Sequence, residues 1–358
     1  MRHAGKAIAL VLMAVGLVTL VALGMQNAPR DPNGRCMVDC HGDPDFREEL
    51  APGKFRSLYV DYEAFQASIH GDRLCTDCHA DVNTLPHPER PEDVSCLQCH
   101  RQGNVVGAPT EEQPWRYQNS VHADAADRGN EDAPYCTTCH GTHNVLPPDD
   151  PDSTVYRLNV PDTCGQCHTD VFATYARSVH GTADEAGSLD SAVCSDCHEE
   201  HDILPPDDPQ SSINPRNVNH TCAECHANQT VMRRENVPVE QVEAYEDSFH
   251  GIAVKFGELD AANCTSCHEH HLILSQENPN SPIHKSNLDR TCGKCHPNAT
   301  SNVALGRVHV VPSDPSAGIV FYVAQFFKWL TLTVLAGLFI HILIDLFGRL
   351  RHRRRAEE

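Results

Sequence analysis

The chain is poor in the side chains that fill a conventional hydrophobic core. Aromatic residues make up only 6% of its 358 residues, whereas it contains 21 glycines and 24 prolines. A chain of this length is able to bury one or two ordinary cores, but this composition argues against them. We therefore expect a mostly irregular fold, with short α-helices wrapped around apolar material that is not polypeptide.

Positive charge is also scarce. The chain has 28 lysines and arginines against 49 aspartates and glutamates, which gives a formal charge of -21. Such acidity speaks against nucleic acid as a partner and favours docking of a soluble protein through basic residues. Adaptation to a saline habitat accounts for the same charge equally well.

The sequence also has no cysteine left over. All 18 cysteines fall into nine pairs, and a histidine follows the second cysteine of every pair. Eight pairs have two intervening residues: Cys75/Cys78/His79, Cys96/Cys99/His100, Cys136/Cys139/His140, Cys164/Cys167/His168, Cys194/Cys197/His198, Cys222/Cys225/His226, Cys264/Cys267/His268 and Cys292/Cys295/His296. The ninth, Cys36/Cys40/His41, has one more residue between its thiols.

This spacing is typical of covalent haem attachment. Two cysteines about one helical turn apart meet the two vinyl groups of the porphyrin, and the adjacent imidazole faces the iron. Disulfides and zinc sites are the other common uses of closely spaced cysteines, but neither explains a histidine after every second cysteine. The sequence therefore predicts nine haem c groups, with the nine motif histidines as proximal ligands.

Both ends of the chain carry apolar segments. Near the N-terminus, Arg2, His3 and Lys6 precede an apolar run at 7–24, so residues 1–28 are predicted to be a secretory signal peptide or an uncleaved anchor. Near the C-terminus, residues 317–348 are predicted to form a transmembrane helix, because a basic tail at 349–358 follows an apolar stretch. Residues 29–310 then form a haem domain that faces the periplasm from the inner membrane.

The exported region contains a fourfold repeat, at about residues 55–109, 110–168, 169–226 and 237–296. Each repeat begins with an aromatic-x-x-Ser-apolar-His segment, which predicts a short helix that the histidine closes. These helix-borne histidines are His70, His122, His180 and His250. An opening haem motif, a second free histidine, a turn-rich segment and a closing haem motif follow them.

With its second free histidine, each repeat has two haem motifs and at least two histidines outside those motifs. The second free histidine is His143, His201 or His271, three residues beyond a motif histidine, and His87 in the first repeat. Two such histidines for two haems predict bis-histidine ligation of the iron. A histidine so close to the proximal ligand cannot reach round the same porphyrin, so we expect it to bind a neighbouring haem.

Some ligands stay undecided in the sequence. The ninth iron has three candidates, His220, His284 and His309, and His270 competes with His271. Methionine ligation is not expected, because outside the N-terminal segment the chain has only Met37 and Met232.

Over about residues 36–296, the helix-borne Ser-x-His, the doubled C-x-x-C-H and the C-H-x-x-H pattern resemble multihaem cytochromes of the cytochrome c3 and NapC/NirT-like type. The resemblance implies closely spaced, low-potential haems that pass electrons along the chain. NapC-like proteins usually carry four or five haems behind an N-terminal anchor, and this chain departs from both features.

The C-terminal segment resembles the membrane helices of quinol-oxidising cytochrome b modules. It contains His341, four residues before Asp345 and eight before Arg349. Ionisable residues inside a membrane are costly and usually functional, so His341 is a candidate ligand of a haem b shared with a partner subunit, or a quinone-site residue. Alternatively, His341 and Asp345 lie close to the inner interface and have no such role.

The leading hypothesis is an electron-transfer subunit that relays electrons between a membrane quinol-linked cytochrome b partner and periplasmic redox proteins, in anaerobic-type respiration. An alternative is a multihaem reductase or oxidase of a small nitrogen or sulfur compound, which requires one open haem. Another is a segment of an extracellular electron-transfer conduit. The sequence leaves open the donor, the acceptor, the direction of flow, the haem potentials and the oligomeric state.

Overall fold

Short helices and turns make up most of the chain, as its composition predicts. A computed structural model describes residues 31–87, 90–108, 112–302 and 308–357, and the predicted signal or anchor lies outside them. In chain order the α-helices are α1 (Gly34–Cys36), α2 (Tyr62–Ala67), α3 (Cys75–Cys78), α4 (Gln113–Gln118), α5 (Val121–Asp127), α6 (Cys136–His140), α7 (Val160–Gly165), α8 (Thr169–Tyr175), α9 (Val179–Glu185), α10 (Cys194–His198), α11 (Val218–His226), α12 (Gln229–Arg234), α13 (Glu240–Glu246), α14 (Phe249–Lys255), α15 (Cys264–His268), α16 (Leu288–Gly293) and α17 (Ile319–Glu357). Helical turns of other types occur at Met37–His41, Cys96–Gln98, Arg157–Asn159 and Pro315–Ala317.

The chain divides into two units. Unit 1 contains the described residues up to Pro114 together with Pro134–Tyr156, and so holds the first four haem motifs. Unit 2 contains Trp115–Ala133 and the described residues from Arg157 onward, and so holds the other five motifs and α17.

A β-hairpin in unit 1 was not expected from the sequence. Strands β1 (Arg47–Ala51) and β2 (Lys54–Ser57) pair antiparallel, and the turn between them uses Gly53 at a φ of 76°. The backbone amide of Leu58, just after β2, donates to the carbonyl of Phe46, just before β1, at 2.9 Å. The hairpin thereby fixes the carbonyl of Leu58, which contacts a motif histidine described below.

Serine residues decide where the histidine-bearing helices begin. Ser120, Ser178 and Ser248 each stand at an N-cap, where the hydroxyl accepts a hydrogen bond from the amide three residues on, at 3.0–3.2 Å. The second residue of each helix is then His122 in α5, His180 in α9 or His250 in α14. The prediction that the histidine closes the preceding helix is wrong in these three repeats, because the serine stops one helix and starts the next.

The first repeat has a different arrangement. Helix α2 ends at Ala67, and Ser68 is its C-cap. His70 lies in the turn that follows, where its amide donates to the Ser68 hydroxyl at 3.2 Å. Here the imidazole follows the end of a helix, but Ser68 and not the histidine closes that helix.

Few apolar side chains are buried among the described residues. They are Met37, Ala123, Ala133, Val193, Val218, Met232 and Ala244. Three of the seven are alanines, and the largest completely buried side chains are those of Ser120, Ser178 and Ser281. The expectation that the polypeptide does not form a conventional core is consistent with this set.

Helix α17 differs from every other described helix in length and composition. Its segment Ile319–Arg351 has 33 residues and contains an 18-residue window with a mean hydropathy of 2.2, which is not buried against the rest of the chain. At a rise of about 1.5 Å per residue the segment is about 50 Å long, which exceeds the thickness of about 30 Å of a bilayer's hydrocarbon core. By length and composition α17 is therefore able to cross a membrane.

Candidate haem sites

The opening motif of each repeat forms a single helical turn that is capped locally. In α3 the Asp77 carboxylate accepts from the amide of Leu74 at 3.0 Å, and in α10 Asp196 accepts from Val193 at 2.7 Å. Thr138 and Ser266 do the same at the other two opening motifs. Because one turn separates the two cysteines, both thiols project from the same side of the helix.

The predicted attachment cysteines do not share one environment, and three second cysteines of motifs illustrate the range. Cys167 and Cys295 are exposed, whereas Cys139 is half-buried. The amides of Cys167 and Cys295 each donate to the carbonyl of the first cysteine of their motif, at 3.2–3.3 Å. The carbonyl of Cys139 accepts from the Thr154 hydroxyl at 2.5 Å. These bonds fix the backbone of the motif and do not bear on the thiol, so haem attachment at Cys139, Cys167 and Cys295 stays a prediction from spacing.

A residue with a positive φ follows three of the opening motif helices. Gly141, Glu199 and Glu269 have φ values of 80°, 63° and 64°. Positive φ costs a side-chain-bearing residue free energy, so the two glutamates hold a conformation that suits glycine. This sharp turn directs the chain away from the motif before it reaches the free histidine two residues later.

Eight motif imidazoles each face a second imidazole. The ring centroids of these pairs are 5.9–6.3 Å apart. In unit 1 the pairs are His41–His87, His70–His100 and His79–His143, and in unit 2 they are His122–His168, His180–His226, His198–His271, His250–His296 and His268–His309.

These separations fit an iron atom bound between the two rings. Two metal–nitrogen bonds of about 2.0 Å, plus about 1.1 Å from each nitrogen to its ring centre, give a centroid separation of about 6.2 Å. Rings in direct contact would lie closer, as His270 and His271 do at 4.7 Å. The donor set and its spacing therefore fit bis-histidine haem.

The pairing follows two rules. The helix-borne histidine of each repeat faces the closing motif of the same repeat, as in His122–His168. The opening motif faces a histidine from the segment that follows its repeat, as in His198–His271. The opening-motif histidine of repeat 2 is His140, in unit 1, and the second free histidine of repeat 3 is His201, in unit 2.

The structure distinguishes the three histidines that the sequence left as candidate ligands of the ninth iron. His309 faces His268, and its Nδ1 donates to the carbonyl of Gln241 at 3.0 Å, which leaves Nε2 for a metal. The side chain of His220 is 83% exposed and its Nε2 lies 3.6 Å from Glu224. The Nδ1 of His284 contacts the Ser286 hydroxyl at 2.7 Å.

The Cys36 motif takes its second imidazole from the first repeat. The rings of His41 and His87 are nearly parallel, with an interplanar angle of 8°. The Nδ1 of His41 donates to the carbonyl of Leu58 at 2.7 Å, so the hairpin orients this ring. The sequence had placed His87 among the distal candidates, without saying which motif it serves.

Burial keeps several of these imidazoles neutral. Desolvation, followed by the effect of the neighbouring His226, lowers the pKa of His180 to about 4. Burial likewise lowers the pKa values of His226 and His268. Since only the neutral imidazole binds iron, these sites are already in the binding form at neutral pH.

The motifs of each unit form an unbroken series. In unit 1 the thiols of Cys36 and Cys75, of Cys78 and Cys99, and of Cys96 and Cys136 lie close enough to interact electrostatically. In unit 2 electrostatic interactions join Cys164 to Cys194, Cys197 to Cys222, Cys222 to Cys264 and Cys267 to Cys292. Successive motifs are therefore neighbours in space, and so are the porphyrins that they would hold.

Sequence reasoning missed two asparagines that position motifs. The side chain of Asn33 accepts from the amide of Cys75 at 2.9 Å and donates to the carbonyl of Arg73 at 3.0 Å. The side chain of Asn219 accepts from the amide of Cys264 at 3.1 Å. Each asparagine lies three residues before the first cysteine of one motif and holds the start of the next, so that shared spacing was the available signal.

An arginine and a tyrosine brace unit 2 in a similar way. Arg157 donates two hydrogen bonds to the Asp196 carboxylate of α10, at 2.8 and 2.9 Å, and one to the carbonyl of Ser191 at 2.7 Å. The Tyr175 hydroxyl donates to the carbonyl of Ala192 at 3.0 Å. Tyr175 belongs to the aromatic-x-x-Ser segment, so that recurrent aromatic position was the available signal.

The candidate membrane histidine lies on α17. His341 is exposed and precedes by one turn the ion pair of Asp345 with Arg349, whose atoms are 2.9 Å apart. This pairing neutralises both charges within the apolar helix.

Comparison with known proteins gives one match. The family model for cytochrome c3 matches residues 68–169. This range contains the four motifs that begin at Cys75, Cys96, Cys136 and Cys164. Searches of curated proteins and of solved structures found no significant match. The chain thus contains a cytochrome c3-like multihaem segment, which implies covalent haem c, electron transfer and a haem domain outside the cytoplasm.

Proposed function

We propose that this chain is a nine-haem, membrane-anchored periplasmic relay that carries electrons between a quinol-linked cytochrome b subunit and periplasmic redox proteins. The NapC/NirT-like subtype, the count of nine and the inner-membrane location belong to this proposal. The chain is an electron-transfer subunit in this account, and direction of flow is not part of it.

The observation that carries the proposal is the unbroken series of motifs in each unit. Electrostatic interactions between thiols join four successive motifs in unit 1 and five in unit 2. Bound haem supplies a one-electron Fe(III)/Fe(II) couple at each motif. The protein holds neighbouring motifs close together, which suits electron tunnelling because its rate falls steeply with distance.

The imidazole pairs support a carrier rather than a catalyst. Each of the eight described pairs supplies an imidazole on both sides of its iron position, which leaves no coordination site for a substrate. A multihaem reductase requires at least one iron with an open position. Substrate chemistry therefore has no place at these eight sites.

The membrane partner is inferred from α17. A helix that only anchors a domain needs no ionisable groups, yet α17 carries His341 together with the Asp345–Arg349 pair. A cytochrome b subunit would supply the second axial ligand to a haem b held by His341, or would complete a quinone site beside it.

The test is to solubilise the membranes in mild detergent and purify the full-length protein. We expect a cytochrome b subunit with b-type absorbance to copurify, and a soluble quinol analogue to reduce the c-type haems of the complex. His341→Leu should remove the b-type absorbance or the quinol reaction, while the control Thr333→Ser leaves both intact. Isolation of the protein as a lone species without quinol reactivity would overturn the proposal.

A further inference from the structure

The fourth repeat differs from the others on the outer face of its histidine-bearing helix. Relative to the histidine, positions -1, +2 and +6 lie on one face of the helix. In repeat 2 these residues are Val121, Asp124 and Arg128, and the last two form an ion pair. In repeat 3 they are Val179, Thr182 and Ala186.

In repeat 4 the same positions form an apolar stripe, Phe249, Ile252 and Phe256. Their side chains are 93%, 43% and 85% exposed. By area, three such side chains expose on the order of 400 Å², which is as large as the main apolar patch of a typical monomer and larger than scattered surface residues produce.

The stripe faces away from the haem ligand on the same helix. Successive residues of an α-helix are about 100° apart, so the three stripe residues lie about 100–160° round α14 from His250. The imidazole of His250 meets His296 on the other side. The stripe is thus separate from the ligand set of the closing motif.

The position of repeat 4 in the chain explains why this face is uncovered. The amides of Val121 and Val179 donate to the carbonyls of Ile203 and Ile273, at 2.9 and 2.8 Å, so the segment after each following motif packs beside α5 and α9. Among the described residues, the amide of Phe249 makes no such bond. Terminal repeats of an array usually present a polar outer face, and this one presents phenylalanines instead.

The surroundings of the stripe are acidic. Four exposed acidic residues flank it in the sequence: Glu246, Asp247, Glu258 and Asp260. Helix α14 itself has one cationic residue, Lys255. An anionic bilayer or a second copy of the same face would bring like charges together, which costs free energy. A protein with basic residues around an apolar centre complements both features.

The stripe is connected to α17 through His309. Helix α13, immediately before α14, contacts His309 through the carbonyl of Gln241, and the segment from His309 leads into α17 at Ile319. We propose that the stripe docks a protein partner whose surface has an apolar centre and a basic rim. This goes beyond the relay proposed above, because it depends on the helix surface and not on haem ligation.

The test places a photoreactive benzoylphenylalanine at position 249 or 256 of the full-length protein in cells that attach its haems. We expect both positions to crosslink to the same protein, in a peptide that contains basic residues. The matched control is position 182, which occupies the same face of α9 in repeat 3 and should give no such adduct. Raising the salt concentration should lower the yield, since salt screens the acidic rim.

A second measurement quantifies the contribution of the stripe. The double variant Phe249→Ser/Phe256→Ser should retain at least tenfold less of the crosslinked partner after detergent purification, because buried aromatic anchors dominate such interfaces. The control double variant Val179→Ser/Ala186→Ser should retain it. Adducts with lipid only, with a second copy, or equally from position 182 would overturn the proposal, as would retention within twofold of wild type.

Failure of this proposal is distinguishable from failure of the relay. Low-spin haem signals and haem content in the double variant report on the relay alone and should match those of the wild type. If the double variant attached fewer haems, the crosslinks from otherwise wild-type helices would still decide the docking question.

Discussion

Two imidazole pairs in unit 1 give the sharpest prediction, because they lie at opposite extremes of ring orientation. The planes of His41 and His87 are 8° apart, whereas those of His70 and His100 are 70° apart. In low-spin ferric haem, parallel imidazole planes produce a rhombic EPR signal and crossed planes a strongly axial one. The two haems should therefore be separately visible.

The perturbation is His87→Ala. It removes one imidazole from a pair whose centroids are 6.2 Å apart, and alanine provides no replacement ligand. The haem stays attached, because Cys36 and Cys40 are unchanged. We expect about one-ninth of the iron to pass from low spin to high spin, with the loss confined to the rhombic part of the spectrum.

The complementary change is His70→Ala. It should convert the same fraction of iron to high spin, but the loss should fall on the axial signal, because this pair has crossed planes. The controls are His220→Ala and His284→Ala, whose rings contact Glu224 and Ser286 instead of a motif imidazole. Both controls should leave the spectrum unchanged.

Quantitative EPR of the oxidised protein, together with haem content by the pyridine method, makes the measurement. An unchanged low-spin signal in His87→Ala would refute the assignment of His87 as an iron ligand. Loss of low-spin iron in His284→Ala, with none in His87→Ala, would show that the Cys36 haem draws on a different histidine. Loss of a whole haem in either variant would be read from the pyridine assay.

Three further predictions concern the backbone and the anchor. Residues 199 and 141 both have positive φ, so Glu199→Gly should raise the free energy of unfolding by about 1 kcal/mol and Gly141→Ala should lower it by at least as much. Equal unfolding temperatures of the two variants and the wild type would contradict this. Ser178→Ala removes the cap of α9 and should cost about 1 kcal/mol in thermal or denaturant unfolding, while Ser178→Thr should cost less; no difference between the two would contradict the capping role. Truncation after Ala317 deletes α17 and should release a red protein into the periplasmic fraction with its haem content intact; retention in the membrane would show that another segment anchors the chain.

The residues that make up the haem sites could be identified from the sequence alone. The spacing of Cys75, Cys78 and His79 reflects local covalent geometry, so it is readable without a structure. The scarcity of buried apolar side chains among the described residues and the apolar C-terminal helix likewise follow from composition and hydropathy. The family match to residues 68–169 supports the multihaem class on the same motifs.

The sequence did not show which motif histidine each free histidine faces, because these pairs depend on contacts between distant segments. His143 and His87 belong to equivalent places in their repeats, and only the folded chain shows that they face His79 and His41. The turn at Gly141 sets the direction of the chain, and glutamate takes the same conformation at Glu199 against its intrinsic preference. A pattern search for glycine therefore finds one of these turns and misses the other.

The prediction of helix boundaries was wrong for a different reason. The aromatic-x-x-Ser-apolar-His segment has helical spacing throughout, so it predicts one helix through the serine. A serine hydroxyl is able to cap a new helix, and in Ser178 this competing interaction prevails, with the amide of Gly181 as its donor. A Cβ atom at Gly181 would lie 2.2 Å from the carbonyl of Tyr175, so the close approach of the two helices also needs glycine.

The most direct test of the account is the intact mass of the mature protein, measured before and after chemical cleavage of its thioether bonds. The same chain serves as its own reference, so the result does not depend on where the N-terminus lies. The account predicts a difference equal to nine haem groups, including one on the longer Cys36 motif. A smaller difference, or a colourless mature protein, would contradict it.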